Sequence, residues 1–75
     1  MNGRFLEVDG ARLRQLRQER ALSLRELGER SGVAFDTINK LENQRRRGAQ
    51  PRTIRRLAEA LGVEPKELMK GASDE

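Results

Sequence analysis

Apolar residues recur at helical spacing along most of the chain. Leu13 and Leu16 mark a first helix over Gly10–Arg20, with Arg12, Arg14 and Gln18 on its polar side. Ala21-Leu22 is a short link. Ser23, followed three residues later by Glu26, has the capping-box pattern, in which each side chain accepts a hydrogen bond from the other residue's free backbone N–H. Leu24 and Leu27 continue that second helix, and Gly32 stands where a left-handed residue commonly stops one. Ile38 and Leu41, with Val33 just ahead, predict a third helix over Phe35–Asn43. Residues Gln44–Gln50 read as a loop. Pro51 then opens a fourth helix, where a missing N–H costs nothing. Ile54, Leu57, Ala58 and Leu61 form its apolar stripe, and Gly62 ends it. Glu64-Pro65 starts a short fifth helix carrying Leu68 and Met69. No segment alternates with a period of two, so the pattern predicts a compact all-α domain of five short helices. Residues 1–9 read as an N-terminal arm, either a short strand or an ordered extension. Residues 71–75 read as a disordered acidic tail, leaving 10–70 as the folded domain.

Composition narrows the chemistry. The 75 residues make one small domain and contain no Cys, His, Trp or Tyr. A disulfide framework, a Cys/His zinc site and His- or Cys-based catalysis are thereby excluded. No metal or other cofactor is expected. No apolar run approaches the ~18 residues of a membrane span, and the N-terminus lacks the apolar stretch of a secretory signal. A cytoplasmic, nucleoid-associated location follows as the expectation. A chain this short buries only about 60% of its unfolded surface, which argues against a deep catalytic pocket. No Gly-rich phosphate loop or apolar-flanked carboxylate pair is visible, so an enzyme is not expected.

Charge is distributed unevenly. The net charge is +4 and the pI is near 10.6. Between residues 40 and 56, however, Lys40, Arg45, Arg46, Arg47, Arg52, Arg55 and Arg56 face a single acid, Glu42, a local +6 that leaves −2 for the remainder. A basic block in an otherwise near-neutral domain reads as a footprint for a polyanion. The plainer alternative is a solvated, charge-rich loop.

The most informative stretch is Leu22 to Leu41. Two helices of about eight residues flank a turn at Gly32, and Leu27, Val33, Ile38 and Leu41 supply a shared core, which is helix-turn-helix spacing. In such a unit the first helix braces the second, which projects from the surface and fits the ~12 Å major groove of B-DNA. Together with LRQLRQERALSLRELGERSGVAFDTINKLENQ, and then TIRRLAEALGVEPKEL, the sequence resembles the phage repressor and Cro type of helix-turn-helix, or XRE family, over Ala11 to Leu68.

The resemblance implies a lambda-repressor-like domain that binds double-stranded operator DNA, usually as a homodimer on a near-palindrome. It places the base-reading positions on Ala34, Phe35, Asp36, Asn39 and Lys40, with Thr37 and Asn43 close to phosphates. It also implies an ion pair between Arg17 and Glu42. Several positions depart from the family pattern. Leu24 stands where a Gln commonly anchors a phosphate and touches an edge base. Gly28 replaces Ala, Ala34 replaces a Ser cap, and Ala21 stands where Gly often closes the first helix. The loop after Asn43 is slightly longer and richer in Arg.

Two of these positions have competing readings. Phe35 could meet a thymine methyl group, or pack against its own domain or a partner. Asp36 could accept from a cytosine amine, but an i,i+4 pair with Lys40 keeps an acid away from phosphates. Asn39 and Lys40 are therefore the stronger base readers. Arg45, Arg46 and Arg47 leave the third helix and Arg52, Arg55 and Arg56 begin the fourth, so a subset of them is expected on phosphates. The functional expectation is a sequence-specific transcriptional regulator of repressor type. The alternative is a protein-interaction module, such as an antitoxin or co-regulator subunit, using the same surface. RNA binding is disfavoured because no stacking aromatics are interleaved with the basic residues.

Overall fold

The structure is a computed structural model and describes residues 5–70. Four α-helices carry the fold: α1 (Gly10–Glu19), α2 (Leu24–Ser31), α3 (Phe35–Glu42) and α4 (Pro51–Leu61). Their apolar stripes converge on one core, in which Leu13, Leu27, Ile38, Leu41, Ile54, Leu57 and Leu68 are almost completely buried. Each such side chain contributes about 1.5–3 kcal/mol by leaving water. Val8, Leu22 and Ala49 join them, although none lies on a helical stripe. No helix of the described residues is long and apolar enough to cross a membrane.

Two expectations need correction. The fifth helix is a single 3-10 turn over Pro65–Leu68. Pro65 opens it without an N–H, and Met69 is already extended (φ −101°, ψ 134°) because it bridges antiparallel to Val8. The fold is also not purely helical. Strand β1 (Leu6–Glu7) pairs antiparallel with β2 (Gly48–Ala49), Leu6 opposite Ala49 and Glu7 opposite Gly48. Beyond the strand, the Val8 N–H donates to the Arg47 carbonyl at 2.9 Å, Asp9 N–H to Leu68 carbonyl at 2.8 Å, and Lys70 N–H to Glu7 carbonyl at 3.0 Å. The chain before α1 thus lies between the loop after α3 and the segment after the 3-10 turn, satisfying backbone groups of both. Two-residue strands leave no period-two signature, so tertiary pairing alone creates them. The expected tail at 71–75 lies outside the described residues.

The helix starts follow local chemistry. The Asp9 carboxylate accepts from Arg12 N–H at 3.1 Å and opens α1. Both halves of the capping box at α2 are formed, Glu26 N–H to Ser23 Oγ at 3.0 Å and Ser23 N–H to Glu26 Oε1 at 2.9 Å. The Ser23 backbone N–H, followed by its hydroxyl, holds the Glu26 carboxyl below the ordinary carboxylate range.

The helix ends share one device. Each stops at a residue with positive φ: Ala21 (55°), Gly32 (76°), Gln44 (65°) and Gly62 (73°). After α1, Ala21 N–H returns to the Gln18 carbonyl and Leu22 N–H to the Arg17 carbonyl. After α3, Gln44 and Arg45 make the same two bonds to Leu41 and Lys40. These are paired-bond left-handed caps that satisfy otherwise orphaned carbonyls. Glycine suits that backbone, whereas an L-residue there costs about 1–2 kcal/mol.

Two predictions follow from the helix ends. Gln44→Gly and Ala21→Gly relieve left-handed strain but loosen the unfolded chain, which returns about 0.4–1 kcal/mol of the gain. Each should raise the melting temperature by a few degrees in a far-UV dichroism melt; a drop at either position would contradict the account. The second concerns acid. Because folding lowers the Glu26 carboxyl, its stabilisation is complete above the unfolded carboxylate range and disappears as pH falls through the folded value. Glu26→Gln keeps the capping geometry but cannot titrate, so it should lose less stability than the parent between about pH 6 and pH 3.

Candidate functional site

Helix α3 is eight residues long, too short to persist alone, so its position depends on what grips it. Ile38 and Leu41 face the core. At its C-terminal end Glu42 is 95% buried at the side chain and clasped by Arg17 from α1: Nε donates to Oε2 at 2.6 Å and the second guanidinium nitrogen to Oε1 at 2.9 Å. The remaining Arg17 nitrogen donates to the Leu22 carbonyl at 2.8 Å. The Glu42 hydrogen bonds hold the Arg17 guanidinium above its ordinary range, against burial.

At the other end, Ala34 precedes α3 without a side-chain cap, and the Thr37 N–H reaches the Ala34 carbonyl at 3.0 Å. Gly28 of α2 supplies the close contact here. A Cβ on it would stand 2.9 Å from the Val33 carbonyl oxygen and 3.4 Å from Phe35 Cβ, so α2 and the turn approach as closely as a bare backbone allows.

These grips leave one stripe of α3 facing outward: Asp36, Asn39, Lys40 and Asn43, with Phe35 beside it and Thr37 half-buried at its edge. Asp36 and Lys40 form the i,i+4 pair, 3.3 Å apart and well exposed on both sides. Asn43 turns toward the following loop, its Oδ1 accepting from Arg45 N–H at 3.3 Å. Phe35 is 48% exposed and lies under the Arg25 guanidinium, 5.3 Å from ring centroid to Cζ. Nothing in the spacing of Arg25 singled it out in the sequence.

The basic residues fall into separate groups. Arg45 and Arg47 are exposed beside the end of α3. Arg46 is turned inward instead: its Nε donates to the Gly48 carbonyl at 3.1 Å, and its guanidinium lies 5.7 Å from the Phe5 ring centroid. Arg52 and Arg56 are exposed on α4, and Arg56 reaches the turn between α2 and α3, 3.9 Å from where a Cβ on Gly32 would stand. Arg55 is also exposed on α4, one turn on from Arg52, and lines a shallow depression with Val63 and Pro65.

Residues 10–74 match the helix-turn-helix domain family. The HTH-type transcriptional repressor RghR of Bacillus subtilis (strain 168) is 42% identical over 64 residues, which is 85% of this chain and 47% of the repressor. The chain therefore spans about half the length of that curated relative. The restriction-modification controller protein C.AhdI from Aeromonas hydrophila superposes with a TM-score of 0.74 at 37% identity, over 80% of this chain and 89% of that one. The P22 c2 repressor, solved in complex with synthetic operator 9T, superposes with a TM-score of 0.76 at 26% identity, over 87% and 97% of the two chains.

The grip on α3 can be tested directly. Glu42→Gln leaves the Arg17 fork charged and half-satisfied in a largely buried place, and should cost about 3–5 kcal/mol in urea unfolding. Replacing both partners, Arg17→Met with Glu42→Leu, should recover most of that loss. A Glu42→Gln midpoint equal to the parent's would show that the pair does not hold α3.

Proposed function

This chain belongs to the helix-turn-helix domain family, of the phage repressor or XRE type, and from that premise we propose that it is a sequence-specific DNA-binding transcriptional regulator of repressor type. In this reading α3 enters the major groove. Asn39 and Lys40 read base edges, with Ala34, Phe35 and Asp36 against the same bases. Thr37, Asn43, Arg45, Arg47, Arg52 and Arg56 lie along phosphates. Arg55, one turn on from Arg52 on α4, joins that set, whereas Arg46 shapes the loop from within and is secondary to it. The protein acts as a homodimer on a near-palindrome, with half-sites about 34–36 Å apart, in the cytoplasm at the nucleoid.

One observation carries the reading: the outward stripe of α3 is flanked by arginines that have no carboxylate partner. Among the described residues the ion pairs are Arg12–Glu67, Arg17–Glu42, Arg20–Glu19 and Lys40–Asp36, and none of the arginines at 45–56 takes part. Unpaired guanidinium groups on both sides of an exposed helix fit a polyanion whose backbone runs past that helix. A second reading, a protein-interaction surface, draws on Phe5 and Phe35, which are 57% and 48% exposed.

Selection on random duplex DNA, followed by salt titration on the winners, separates these readings. The expected outcome is a two-fold-symmetric consensus bound with a steep salt slope. Lys40→Ala should relax base preference at one or two positions and leave the other positions intact. Arg45→Ala should weaken all sequences alike and reduce the salt slope by about one unit. Absence of binding at low salt would transfer the assignment to a protein partner that covers Phe35.

A further inference from the structure

Phe35 occupies the first position of α3 with nearly half its surface open, where water contact is unfavourable for a ring. It is covered on one side only. Arg25, from the first turn of α2, lies over the ring with its guanidinium carbon 5.3 Å from the centroid. The notch at Gly28 brings the root of the Phe35 side chain in against α2 and makes this overlap reachable. Among the described residues Arg25 has no carboxylate within salt-bridge distance and no hydrogen-bond acceptor, so its donors are unengaged. Glu29, one turn on from Arg25, lines the same depression as Arg25 and Phe35 but lies outside salt-bridge distance, and Asp36 is taken by Lys40.

Resting on the DNA-binding reading above, we propose that Arg25 and Phe35 act together to read a thymine–guanine step in the major groove. The ring lies against the C5 methyl of thymine, and the guanidinium donates to O6 and N7 of the adjacent guanine. The chemistry selects these bases. Thymine presents the one methyl group among the four base edges, and guanine alone presents two acceptors side by side, at the spacing of an arginine fork. Stacking on the ring restricts Arg25 before binding, so less side-chain freedom is lost when it engages a base. Leu24, the first residue of α2, offers no polar reader at this end of the helix. Arg25, one residue on, supplies one. A phosphate contact would employ the charge of Arg25 but would leave the Phe35 ring uncovered, so the base reading accounts for both side chains.

The test is a random-duplex selection with the parent, Arg25→Ala, Arg25→Lys and Phe35→Ala, each first checked for an unchanged melting temperature. Arg25→Ala and Arg25→Lys should both lose guanine discrimination at one position per half-site, by about ten- to a hundredfold, with the other positions retained. Phe35→Ala should lose the neighbouring thymine preference. Replacing that thymine by deoxyuridine in the selected duplex should weaken the parent about three- to fourfold, the value of one buried methyl group, and leave Phe35→Ala unaffected. This last measurement changes only the DNA and is independent of how any variant folds. If Arg25→Ala weakens every sequence alike and flattens the salt slope, Arg25 is a phosphate contact and the pairing is overturned. A parent consensus that survives Arg25→Ala unchanged overturns the pairing alone. A parent that selects no consensus overturns the regulator reading and the pairing with it.

Discussion

Arg17 joins three parts of the chain through one planar group. Two of its nitrogens grip Glu42 at the end of α3, and the third holds the Leu22 carbonyl in the turn between α1 and α2. A helix of eight residues has little stability of its own, so the direction in which α3 points is set by such contacts. Apolar burial of Ile38 and Leu41 brings α3 to the core but is non-directional. The bidentate fork adds direction, because its two bonds are satisfied together in one orientation. At the opposite end no charge is involved. There the bare backbone of Gly28 lets α2 close on Val33 and Phe35, and steric contact fixes the angle. One helix is thus held polar at its C-terminal end and tight at its N-terminal end, with its remaining face turned outward.

The same division extends to the chain around α3. Its exit is governed by Gln44, whose positive φ turns the backbone so that Arg45 N–H can return to the Lys40 carbonyl. The chain then runs back beside β1, which gives the loop a defined shape, and Arg46 closes it from within by bonding Gly48. Because β1 also meets the segment after the 3-10 turn, the arm, the basic loop and the C-terminal edge of the domain form one hydrogen-bonded group.

Most of this fold is legible in the sequence because helices write themselves as a period and as caps. The Ser23–Glu26 box, Gly32, Pro51 and Gly62 mark boundaries through local chemistry, and the apolar stripes of α1 to α4 name the core residues. What escapes has a common cause. Gln44 gives no sign of a left-handed cap, since glutamine has no preference for that backbone and takes it here with the paired bonds to Leu41 and Lys40. The two-residue strands have no pattern to display. The last turn shortens because Met69 is drawn into a bridge with Val8, a partner 61 residues away in the chain. At the candidate site, the family resemblance pointed to Asn39 and Lys40, and both lie on the outward stripe of α3. Arg25 and the inward turn of Arg46 depend on where two aromatic rings come to rest, which no spacing rule encodes.

The arginines also show why net charge is a poor guide and local occupancy a better one. Arg12 is engaged with Glu67 at 2.8 Å and ties α1 to the 3-10 turn. Arg20 donates to the Leu61 carbonyl at 2.6 Å, closing the end of α4 onto α1. Arg17 is enclosed. These three hold the domain together, and their charge is compensated by acids or helix-end carbonyls in the same contacts. Of the other basic residues, Arg45 and Arg47 follow the C-terminal end of α3 and Arg56 reaches the turn before its N-terminal end, so positive charge stands at both ends of that helix. A field of that shape has a depth set by salt and a direction set by the Arg17 clasp. Loosening the clasp would therefore change where the charge points before it changed how much charge there is.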